Sequence, residues 1–220
     1  MKSKQQGFTL VEIAIVLVII GLLLGGILKG QEMIVQAKIK NAMADFSGIS
    51  AAYHGYQDRY RSIPGDDRNA ATRWTTPTAA TAGDGNGIVA GTYNNAGAAC
   101  AASVEACSWW DHLRRAGFVA GNGADNPTNA FTGKIGVQTG DGGATVGPAL
   151  SGFAGLIVCS SNIPDKVAIA IDTQMDDGLI GTGTVRGQQQ GTPNPAIAAS
   201  AASTEYAETG TNVYTMCRAL

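Results

Sequence analysis

Residues 7–28 read GFTLVEIAIVLVIIGLLLGGIL. From Phe8 to Leu28 the one charged side chain is Glu12. These 21 residues, at helical rise, span about 30 Å, the thickness of a bilayer core. Lys2 and Lys4 precede the run, and a positive flank favours a cytoplasmic N-terminus. An ordinary secretory signal has an apolar core of about 7–15 residues and then a small-x-small cleavage step. Here the run is longer and Lys29-Gly30-Gln31-Glu32 follows it, so the apolar segment is expected to stay on the mature chain.

Glu12 is the anomaly. A carboxylate at the start of a membrane span is costly and usually has a partner. No basic residue lies one helical turn away after Phe8. Two readings stand side by side: Glu12 sits at headgroup level, or it meets a cation from another chain. A cut after Gly7 would give Phe8 a free amine able to serve as that cation.

The helical pattern does not stop at Leu28. Val35, Ile39, Ala42, Phe46, Ile49, Tyr53, Tyr56 and Tyr60 are spaced alternately by four and three, a seven-residue seam. Lys38, Lys40, Asp45, Gln57 and Arg59 lie on other faces. The helix therefore continues as an amphipathic segment to about Tyr60. Ile63-Pro64-Gly65 ends it, because the residue before proline avoids helical geometry. The seam would suit a coiled-coil partner, but packing on the following head is the simpler use.

The remainder, 61–220, reads as loops, short strands and one helix. After residue 70, Gly, Ala and Thr dominate and charges are sparse, which fits an exported, loop-rich surface. Val104 to Ala116 reads as a helix with Trp109, Leu113 and Trp110 inward. Leu156–Cys159 and Val167–Ile171 read as strands across the turn at Asn162-Ile163-Pro164-Asp165; the alanines of the second run leave a helix open. Asn212–Cys217 reads as a last strand, and 75–99 and 188–203 as exposed loops. The fold class is α+β: a long N-terminal helix packed on a small antiparallel sheet.

Four cysteines, Cys100, Cys107, Cys159 and Cys217, allow three pairings. No C-x-x-C unit occurs and the histidines are His54 and His112, which argues against zinc. In an exported head disulfides are expected, and the pairs nearest in sequence are Cys100–Cys107 and Cys159–Cys217. The alternative is free buried thiols.

Net charge is −2 and no basic block occurs, so no nucleic-acid footprint is expected. No G-x-S-x-G, H-E-x-x-H, P-loop or dinucleotide fingerprint is present, and an enzyme is not expected. Asp66, Asp67, Asp84, Asn86, Asp172, Asp176 and Asp177 form D-x-N and D-D-G spacings. Calcium loops use such oxygen ligands, and Asp84, Asn86, Asp172 and Asp176 are the candidates. Yet D-G and N-G are also common turn signals, and no complete calcium-loop pattern appears. No cofactor is therefore expected. His112 reads as a hydrogen-bonded helix residue.

Gly7-Phe8-Thr9-Leu10-Val11-Glu12 and the apolar run resemble the class III signal of type IV prepilins and pseudopilins. The resemblance implies that a prepilin peptidase removes residues 1–7, cutting between Gly7 and Phe8, and N-methylates Phe8. It implies that Phe8 and Glu12 carry subunit docking, 8–28 forms the membrane anchor and then the filament core, and a head at 61–220 follows. It implies a C-terminal disulfide closing a variable loop, an inner-membrane precursor, and a homo-oligomeric pilus or periplasmic pseudopilus built by an assembly machine. Ile63-Pro64-Gly65-Asp66-Asp67, Gly83–Gly87, Trp110-Asp111-His112-Leu113 with Ala116-Gly117, Ile171-Asp172 with Asp176-Asp177-Gly178, and Tyr214–Cys217 together look similar to a group of bacterial prepilin-type proteins. Many major pilins carry a proline near the end of the apolar run, whereas this chain has none before Pro64. Gly21, Gly25, Gly26 and Gly30 supply local weakness instead and permit close helix approach. Major pilin, minor pilin and secretion pseudopilin, the last two with a head that binds a surface or exported substrate, all remain open at this point.

Overall fold

The computed structural model describes residues 9–95, 104–140, 150, 152–153, 155–198 and 205–220. They form two units, Met1–Lys38 and Ile39–Leu220. Helix α1, Leu10–Tyr60, runs through both. Its first turn is fixed by a reciprocal cap. The Glu12 amide donates to Thr9 Oγ1 at 3.3 Å, and the Thr9 amide donates to Glu12 Oε2 at 2.8 Å. This is a capping box, which satisfies amides that a helix start leaves open. At the other end Arg61 takes left-handed backbone with φ 55°, the turn that closes many helices.

In the first unit every side chain from Thr9 to Lys29 is exposed. The stretch is long and apolar enough to cross a membrane. The second unit differs: Ile39, Ala42, Phe46, Ile49, Ala52, Tyr53 and Tyr56 are buried. The seven-residue seam thus serves the head from Ile39 onward, whereas Val35 stays 42% exposed. The C-terminal half of α1 is a core element of the head.

That core has two layers of contact. α3 (Glu105–Arg115) brings Trp109, Trp110 and Leu113 against the α1 seam. Tyr53 stacks on Trp109 at 5.5 Å between ring centroids. The sheet consists of β1 (Ile135–Thr139), β2 (Leu156–Pro164), β3 (Val185–Gln189) and β4 (Val213–Ala219), in the order β1-β2-β4-β3 with every pairing antiparallel. On β2, Val158 joins the main core, while its neighbours Ile157 and Cys159 join a second cluster with Tyr93, Leu150, Phe153 and Cys217. Both faces of the strand are covered, so it reads as a continuous apolar run. Cys159 and Cys217 are register partners across β2 and β4 and form a disulfide. Cys107 is disulfide-bonded as well. Cys100, its expected partner, lies outside the described residues.

The strand expected at Val167–Ile171 is a helix, α4 (Asp165–Met175). Pro164 stands at its N-cap and Asp165 in its first turn, both compatible with a helix start. The buried positions Val167, Ala168, Ile171 and Asp172 repeat at helical spacing, and the alanines that alternate with isoleucine are strong helix formers. The loop expected at 188–203 gives its first residues to β3.

One glycine matters to the packing of α1. A Cβ at Gly55 would lie 2.8 Å from the Phe118 ring, so the absence of a side chain lets Phe118 rest on the helix.

Candidate functional site: the helix start and the acidic head clusters

Thr9-Leu10-Val11-Glu12 is a T-x-x-E sequence, the pattern of the capping box it forms. Thr9 Oγ1 also donates to Glu12 Oε2 at 2.7 Å. Glu12 therefore has a partner inside its own chain, one that neutralises hydrogen-bonding demand but not charge. Its second oxygen takes no hydrogen bond from any described residue. Gly7 and Phe8, the expected cleavage and methylation residues, lie outside the described residues.

In the head, Asp67 is fully buried and joins three segments. It accepts from Tyr56 Oη at 2.7 Å, Arg73 Nη1 at 2.6 Å and the Asn69 amide at 2.9 Å. The Arg73 guanidinium also lies over the Tyr60 ring, 4.2 Å from its centre. This ties the end of α1 to α2 (Ala70–Arg73). Burial alone would raise the Asp67 pKa, but the Arg73, Tyr56 and Asn69 hydrogen bonds overcome it and hold the carboxyl below its usual range. A depressed carboxyl contributes stability that is complete above the unfolded value, near 3.9, and is lost as pH falls through the folded value. Urea unfolding of the full chain in detergent between pH 6 and 3 is thus expected to show an acid loss that Asp67→Asn flattens.

His112 is buried and neutral. Its Nδ1 accepts from the Gly65 amide at 2.9 Å, which leaves Nε2 as the N–H facing the Thr81 carbonyl at 2.8 Å. Burial pushes its pKa down. Its partners come from distant loops rather than its own helix, and both ring nitrogens are engaged in holding them.

The acidic candidates fall into two groups. Asp66, Asp84 and Glu105 bring carboxylate oxygens within 4.8 Å of one another, and so do Asp172, Asp176 and Asp177. In the first group Asp66 accepts the amides of Gly85, Asn86 and Gly87. Glu105 accepts those of Asp84 at 2.9 Å and Ala90 at 3.1 Å. Asn86 Nδ2 donates to Asp84 at 2.9 Å. These bonds fold the 84–90 loop around the carboxylates. Burial raises the Glu105 pKa, and the nearby Asp66 and Asp84 charges add to it. In the second group Asp172 accepts from Tyr206 Oη at 2.5 Å and the Gly178 amide at 3.1 Å. Asp176 accepts the Val185 amide at 2.8 Å, and Asp177 accepts Thr182 Oγ1 at 2.6 Å. Asp165 extends the pattern, taking the Thr209 amide at 2.8 Å and the Gly210 amide at 2.6 Å. Through Asp165 and Asp172, α4 fastens the segment that leads into β4. The acids thus act first as loop anchors, each filling amides that a turn leaves open.

Residues 2–28 match the family profile described as the prokaryotic N-terminal methylation motif. No curated protein matches the chain. The motif is the one that prepilins and pseudopilins carry, and with the long apolar helix it fits a membrane-anchored precursor.

Proposed function

We propose that this chain is a structural subunit of a type IV pilus or pilus-like filament. The observation that carries the reading is the methylation motif at 2–28 set on a helix exposed along its whole apolar length. Such a surface needs either lipid or other copies of itself to cover it. Prepilin peptidase cuts after Gly7 and methylates Phe8, while residues 8–28 hold the precursor in the bacterial inner membrane. An assembly machine, driven by its own ATPases, then moves the helix from lipid into the filament. There the Phe8 amine, still cationic after methylation, meets the open oxygen of a neighbour's Glu12. The head displays loops to solvent and has no catalytic part in this account.

A second reading, a minor pilin or type II secretion pseudopilin whose head binds a surface or exported substrate, draws on the proline-free helix. Abundance in sheared filaments separates the two: a major subunit dominates that fraction, and a minor subunit appears there in traces. A chain absent from it and confined to the membrane in unprocessed form would overturn both.

The head is also proposed to need no cofactor, since backbone amides and hydroxyls already use its acidic groups. Millimolar calcium is expected to leave the unfolding midpoint unchanged. A concentration-dependent rise would assign a cation to one of the two acidic groups.

A further inference from the structure

Asp45 sits on α1 at the edge of a shallow apolar groove lined by Gly48, Ile49, Trp110, Phe118 and Ile135. It is partly buried and makes no hydrogen bond or ion pair with any described residue. Burial pushes its pKa up with no bond to offset it. Gly48 keeps the groove open, for nothing lies within 4 Å of a Cβ placed there. Phe118 is 37% exposed beside it. A half-desolvated carboxylate next to exposed aromatic surface calls for a partner that is apolar with one cation.

The chain carries such a segment. Leu28 is 67% exposed, Met33 65% and Ile34 59%, with Lys29 among them. Lys29 and Met33 are four residues apart and share one helix face. The Lys29–Glu32 pair, at 2.7 Å, has side chains 69% and 61% exposed, so it opposes exchange only weakly.

We propose that the groove beside Asp45 receives residues 27–34 of a second copy, with that copy's Lys29 against Asp45 and its Met33 against Phe118. The proposal rests on the filament reading and names the partner surface. Two different patches of one chain meet, so the contact is heterologous and propagates as an open array rather than closing as a dimer.

Disulfide crosslinking tests it in full-length chains carrying Met33→Cys and Gly48→Cys. No described cysteine is free to interfere. Oxidation of sheared filaments and, separately, of membranes is expected to give a ladder of dimers, trimers and higher species. Asp45→Lys in that background should lower the crosslinked fraction about tenfold or more, since like charges across an interface cost several kcal/mol. Adding Lys29→Glu should restore it. No crosslink in either preparation, or a ladder indifferent to Asp45→Lys, overturns the proposal. Crosslinked species in membranes of a strain whose wild-type chain forms no filament would keep the docking surface and overturn the filament reading.

Discussion

Glu12→Ala is expected to lower filament yield by roughly a hundredfold or more while leaving precursor levels in the membrane near wild type. Removing one partner of a desolvated ion pair strands the other charge, at a cost of about 3–5 kcal/mol, and each 1.4 kcal/mol is about tenfold in an association constant. The same substitution also removes half of the capping box, which costs a helix about 1 kcal/mol. Thr9→Ala separates the two effects. It breaks the two bonds of the Thr9 hydroxyl, at 2.7 Å and 3.3 Å, but leaves the backbone amide bond and the carboxylate in place. Thr9→Ala filaments are therefore expected at a yield within about tenfold of wild type. Quantifying the chain in sheared and membrane fractions of the three strains checks this. Equal losses in both variants would mean that Glu12 serves the helix start and not a neighbour.

Replacing Cys159 and Cys217 together by alanine is expected to destabilise the head by about 4 kcal/mol. The bond spans a sequence separation of 58 residues, and closing a loop of that size removes about this much free energy from the unfolded ensemble. Domains of this size shift by about 2–4 °C per kcal/mol, so the midpoint should fall by roughly 8–16 °C. Both sulfurs lie in fully buried residues of a cluster with Tyr93, Leu150 and Phe153, and alanine keeps that cluster free of new polar groups. Thermal unfolding of the full chain in detergent, compared with oxidised wild type, measures the change. A fall of only 1–2 °C would mean that the β2–β4 pairing holds the head without help from the bond.

Strong local periodicity made the long helix legible in the sequence. A 21-residue apolar run and an unbroken seven-residue seam leave little else for residues 10–60 to do. α3 was legible for the same reason, through Trp109 and Leu113. The strands were less so. Leu156–Cys159 is apolar on both faces and stood out, but β1 reads Ile-Gly-Val-Gln-Thr and β3 reads Val-Arg-Gly-Gln-Gln. Each contains glycine and glutamine, which carry little strand preference, and each is held by its neighbour's backbone. A Cβ on Gly136 would strike the Tyr93 carbonyl, a requirement of the assembled sheet that no local pattern announces. Val167–Ile171 misled because isoleucine alternating with alanine satisfies both periods, and Pro164 with Asp165 decides for the helix.

The candidate site divides the same way. Glu12 stood out in the sequence as the one charge of the 21-residue run, and its docking to a neighbour's Phe8 stands as a proposal. The intrachain partner, Thr9, went unread in the sequence although T-x-x-E is a capping-box pattern. The joining of Tyr56, Asp67 and Arg73 was not, since it depends on how 61–74 folds back over the end of α1. Nor was the anchoring role of Asp66 and Glu105, whose amide partners come from a loop about 20 residues away in sequence.

The central claim is that residues 1–7 are removed and the chain works from Phe8 as an assembled helix. Intact mass and N-terminal sequencing of the protein recovered from sheared surface filaments and from membranes tests it most directly. A chain beginning at methylated Phe8, present in the filament fraction, is the predicted result. A chain retaining Met1, or one cut after residue 28 so that the apolar helix is lost, would contradict it.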